Sequence, residues 1–171
     1  MKYIRNILII ALALLAQSTV FGRFTVLGVR PDLPILVLIF LVNGSGHAES
    51  IIYGFLIGFL QDVYSPEFLG INSFIMSLMA YILDNVRERL TIENFSVKTG
   101  EAFLACIVHD ILLLSFYTGM EVSIMQNLFF RESLPGAVYT SGLLFIAIVV
   151  WDFGVSGGLN FVIQGLFGSR R

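Results

Sequence analysis

The sequence predicts an all-α integral membrane protein: one bundle of six transmembrane helices with both termini cytoplasmic. Three observations carry this. Of 171 residues, 57% are hydrophobic and 13% charged, and mean hydropathy is +0.88, far from the balance of a soluble domain. The apolar residues fall into six separated runs. Basic residues are shared unevenly between alternate connections. Lys2, Arg5, Arg87, Arg89, Lys98, Arg170 and Arg171 fall on the side of the N-terminus, whereas Arg23, Arg30 and Arg131 fall on the other. That bias puts the N-terminal side in the cytoplasm.

The first run, 3–21, follows Lys2 and Arg5 and stays apolar through Val20 and Phe21, so it reads as a retained signal anchor rather than a cleaved signal. The second, 32–43, opens on Arg30-Pro31-Asp32-Leu33-Pro34. An Asp there caps free backbone N–H groups, and proline is tolerated in a first helical turn.

In the third run, 49–63, Ser50, Gly54, Gly58 and Asp62 recur every four residues and share one helix face. Small residues on one face let a neighbouring helix come close, with packing inside the bundle preferred to a seam between two copies, and an acid beside them needs a partner. For Asp62 the partner is either the turn that follows or a group outside the chain. In the fourth run, 71–86, Ser73, Ser77, Tyr81 and Asp84 form a polar stripe suited to interhelical hydrogen bonds, and Asp84 is placed to pair with Arg87.

The fifth run, 100–118, carries His109 and Asp110 at its middle. A buried Asp110 must be paired or protonated, and the candidate partners are His109, the serines Ser73 and Ser77, or Gln17. A satisfied hydrogen bond and a proton relay are both open. The sixth run is 134–153. Before it, 119–132 reads as an outer loop with an amphipathic piece. After it, the Gly-rich 154–171 reads as a bent helix end, an interfacial segment or a seventh crossing. The second, third and fourth runs fall short of the ~17–20 residues of a full span. They require a compact bundle with an internal cavity or a locally thinned bilayer. The whole of 1–171 makes a single membrane domain.

Several classes are excluded. No basic run with interleaved aromatics points to nucleic acid. Cys106 is a lone cysteine in an apolar run, and Cys106, His109 and Asp110 do not make a metal set, because His lies off the face that Cys and Asp share. No nucleophile triad, phosphate loop or zinc-protease motif is present. The expectation is no catalysis, no metal and no cofactor.

Two stretches carry a family resemblance: RPDLPILVLIF, opening a short second span, and GFLIGFLQDVYSPEFLGINSFIMSLMAYIL, where a glycine-rich helix runs into Asp62, a short turn and Leu69-Gly70. On these the chain resembles the rod shape-determining MreD family. The resemblance implies a multi-pass protein of the bacterial inner membrane, part of the cell-elongation machinery. Implied partners are MreC, MreB filaments, and the RodA transglycosylase with its class B penicillin-binding protein. It also implies a fold similar to the substrate-binding subunits of energy-coupling-factor transporters. The expected function is a non-catalytic scaffold that organises peptidoglycan synthesis. Ser50, Gly54, Gly58, Asp62 and Gly70 would line a groove for the MreC transmembrane helix. The alternative is a vitamin-like small-molecule binder with a polar outer cavity.

Overall fold

A computed structural model describes residues 2–19, 30–64, 69–89 and 95–156. Among them there are only helices: α1 (Lys2–Thr19), α2 (Leu33–Val42), α3 (His47–Tyr64), α4 (Ile71–Arg89), α5 (Phe95–Tyr117), α6 (Val122–Leu128) and α7 (Leu134–Ser156). A π-helical turn, Phe129–Ser133, joins α6 to α7 with right-handed helical backbone at both joints. The three pieces therefore make one rod, and six rods make the bundle. This corrects the reading of 119–132 as a loop: only 118–121 turn, and Gly119 and Met120 take left-handed φ of 58° and 65° to do so. The Gly-rich tail beyond Ser156 lies outside the described residues, as do residues 90–94 between α4 and α5.

α2 is the centre. Its ten residues reach ~15 Å, about half a bilayer core of ~30 Å, and most of its side chains, though not Phe40, are buried. Ile35 and Leu38 are completely buried, and Ile39, Leu41 and Val42 nearly so. Asp32 caps its start, Oδ1 accepting from Ile35 N at 3.2 Å, with proline in the first turn. Its last carbonyls accept from the backbone N–H groups of the following turn, and Arg87 of α4 adds a side-chain donor at the tip. Nη1 donates to Val42 O, and to Ser45 O at 3.2 Å. The same guanidinium lies 3.7 Å from the buried Asp84, which also meets His47.

α3 and α4 pack as a tight antiparallel hairpin, and α5 packs along α7. α1 attaches through polar clips: Asn6 Nδ2 donates to Tyr53 Oη at 2.9 Å, and Lys2 Nζ reaches Glu49 at 2.8 Å. Its other face is bare, with Ile4, Ile7, Leu8, Leu12 and Leu15 all more than half exposed.

Two helical stretches are long and apolar enough to cross a membrane, Val97–Tyr117 and Val122–Val150, and only 22% of each apolar window is buried inside the protein. A soluble core helix would be mostly covered. Here apolar surface faces outward on every rod, with Phe40, Phe55, Phe74 and Leu104 each about half exposed or more.

Candidate functional site

Two regions hold the residues singled out above, and they differ in kind. The first is the α3–α4 seam. Ser50, Gly54, Gly58 and Asp62 do share one face, and that face is taken by α4 of the same chain. A Cβ on Gly54 would sit 2.4 Å from Met76 O and 2.8 Å from Ala80 Cβ; one on Gly58 would sit 2.3 Å from Asn72 O. Ser50 is fully buried, with Oγ donating to Gly46 O. At Gly54 and Gly58 the expected groove is occupied by α4 of the same chain, in backbone contact.

Asp62 closes the seam. Oδ1 accepts from Asn72 N at 3.1 Å and Asn72 Nδ2 at 3.0 Å; Oδ2 accepts from Ser73 N at 2.9 Å and from Ser73 Oγ. Two of these donors are backbone N–H groups in the first turn of α4, which have no helical partner of their own. A carboxylate beside a helix start also meets the favourable end of its dipole. Of the two readings of Asp62, the geometry is that of the turn-bonded acid. Ser73 is spent on Asp62, and Ser77 Oγ donates to Ser73 O at 2.7 Å, so neither serine reaches Asp110. Gly70 lies in the exposed turn with φ 95° and open space around its Cα.

The second region is a cavity of about 570 Å³ where α1 ends, α2 starts, α3 ends and α7 begins. Arg30, Pro31 and Asp32 line it from the start of α2, His109 and Asp110 from α5. Pro34 is buried inside α2. His109 Nδ1 lies 3.3 Å from Asp32 Oδ2 and 3.3 Å from Asp110 Oδ1. The imidazole is buried, its side chain 3% exposed, while the two carboxylates are about a quarter exposed toward the cavity. His109 Nε2 is buried with no partner among the described residues.

Asp32 is fixed from three sides. Its N–H donates to Thr140 Oγ1 of α7 at 2.9 Å. Gln17 of α1 donates to Pro31 O at 2.8 Å and accepts from Leu33 N at 3.3 Å. With Oδ1 held by the cap, Oδ2 faces His109.

The sequence reading named His109 first among the partners of Asp110, and that contact is present; it left out Asp32, whose carboxylate, at the start of α2, meets the same imidazole nitrogen. Gln17, offered as a partner for Asp110, instead holds the loop before α2. Thr140, Gln61 and Glu132 were missed. Thr140 had a signal: Ser133, Gly136 and Thr140 form a small polar stripe at helical spacing in an otherwise apolar segment. Gln61 and Glu132 had none, since single polar residues near helix ends are ordinary.

No curated protein and no solved structure matches the chain. One family model does, that of the rod shape-determining protein MreD, over residues 2–167. A match across essentially the whole chain, through the glycine-faced hairpin and the polar cavity alike, means that the protein belongs to the MreD family of rod shape-determining membrane proteins.

Proposed function

We propose that the chain is a non-catalytic scaffold of the rod-shape machinery. In this reading it crosses the inner membrane six times with both termini cytoplasmic and holds the transmembrane helix of MreC. Through MreC, or directly, it brings together MreB filaments and the RodA–class B penicillin-binding protein synthase, and so helps to organise peptidoglycan synthesis. The family match over residues 2–167 carries the reading; the bias of basic residues supports the orientation.

Because α4 of the same chain occupies the glycine face of α3, the seat for MreC is sought elsewhere. A better candidate is the crevice of about 410 Å³ between α4 and α5, lined by Met79, Ile82, Leu83, Gly100, Leu104 and Val108 among others. Its lining is almost wholly apolar, and Gly100 leaves open space above its Cα, so a helix can approach closely. Glu101 also lines it, with Oε2 buried and without a hydrogen-bond partner among the described residues. A donor on the incoming helix would satisfy that oxygen, which otherwise costs free energy where it stands. The test is co-purification with MreC from native membranes. Gly100→Leu should leave the fold intact and abolish recovery of MreC; undiminished recovery would reject the crevice, and an unrelated partner set in the wild type would reject the scaffold.

The polar cavity favours a second reading, a small-molecule binder, since it combines a concave site with converging polar groups. Native mass spectrometry of the freshly extracted protein distinguishes the two: a stoichiometric bound metabolite supports the binder.

A further inference from the structure

We infer that Asp32, His109 and Asp110 form a three-ligand site for a divalent transition-metal ion of the zinc class, with its fourth position open to the cavity. The inference is independent of which partner the scaffold holds.

The distances suit a shared ion as well as the long hydrogen bond between His109 and Asp110. A charge-assisted N–H···O bond closes to ~2.7–2.9 Å, whereas both carboxylate oxygens stand 3.3 Å from His109 Nδ1. A tetrahedral ion bound at ~2.0–2.1 Å to nitrogen and oxygen separates its ligands by ~3.3–3.4 Å. The three donor atoms lie within 4.8 Å of one another, so a small rotation of the partly exposed carboxylates brings all three onto one ion.

Without an ion the group is poorly satisfied. Nδ1 carries at most one hydrogen and faces two carboxylates, while the buried Nε2 has no partner among the described residues. Charge points the same way, because Asp32, Asp110 and Glu132 outnumber Arg30 around the cavity. The supporting contacts are those a metal ligand needs. The α2 cap, Thr140 and Gln17 fix Asp32 and aim Oδ2 at the imidazole. One His with two carboxylates and an open position suits Zn²⁺ and its neighbours in the first row. Cys106 is close by on the cavity wall, so the ligand set must be read out directly.

The experiment uses the full chain in detergent micelles, stripped with chelator and titrated with Zn²⁺ alone by calorimetry, with bound metal counted by mass spectrometry. One equivalent is expected. Asp110→Asn and Asp32→Asn, the latter keeping the helix cap because Asn caps as well as Asp, should each weaken binding at least tenfold. His109→Ala should do the same, and His47→Ala, a distant imidazole, should change nothing. Zinc-free variants with wild-type helical signal and elution establish that the fold is retained. If His109→Ala does not fold, the two Asn variants decide. X-ray absorption at the zinc edge should find nitrogen and oxygen at about 2.0–2.1 Å and no sulfur. No saturable binding to the wild type, equal binding to the Asn variants, or a sulfur ligand would each overturn the assignment.

Discussion

The α3–α4 seam and the cavity at the start of α2 both bury carboxylates in a protein with few charges, yet they do so in opposite ways. At the seam Asp62 receives four donors, and the glycines beside it touch the backbone of α4. In the cavity two carboxylates converge on a single imidazole nitrogen, and space remains. A polar group that is fully met is part of the framework; one left short of donors is available to a ligand. The difference separates residues that look alike as letters.

Substitutions break this comparison most sharply at the glycines. Gly54→Leu or Gly58→Leu should cost about 3 kcal/mol or more, since the first added carbon already meets backbone atoms that cannot move aside. Loss of a monodisperse, protease-resistant species in micelles would register it. The same change at Gly100, where nothing lies within 4 Å of a Cβ, should leave stability within about 0.5 kcal/mol and act on partner binding alone. Equal damage at Gly58 and Gly100 would mean that the seam is not the closed contact described.

Asp62→Ala comes next, at about 3 kcal/mol, because two buried backbone donors and two side chains lose their acceptor together. Ser73→Ala removes one of four bonds and should cost about 1 kcal/mol. Denaturant titration followed by circular dichroism ranks the pair, and a Ser73 effect as large as that of Asp62 would contradict the capping role. In the cavity, Asp110→Asn should move zinc-free stability by less than about 1 kcal/mol, the carboxylate being partly exposed and imperfectly bonded. The smallest effect belongs to Lys2→Ala, which removes an exposed ion pair to Glu49 and should shift the transition only at low ionic strength, if salt screening governs it.

Much of the framework was legible. The Arg30-to-Pro34 signal marks the start of α2 because proline and a capping acid act locally, within one turn. The four-residue spacing on α3 also announced a close helix contact. Packing within the chain was preferred there to a seam between copies, and the occupant is indeed the next element in the chain, although spacing alone describes one surface and could not name α4. The cavity was only half legible. His109 and Asp110 stood out as ionisable residues inside an apolar run, but their partner, Asp32, lies on another helix and had already been explained as a cap. One residue serves both purposes because each carboxylate oxygen has its own task.

α2 is too short to reach both faces of a bilayer, and it is anchored at both tips. Gln17 and Thr140 hold the residues where it begins, and Arg87 grips the carbonyls where it finishes. A stiff strut tied this way cannot slide or tilt alone. Any displacement at its entrance is delivered to the α2–α3 corner and to the end of α4 that carries Arg87.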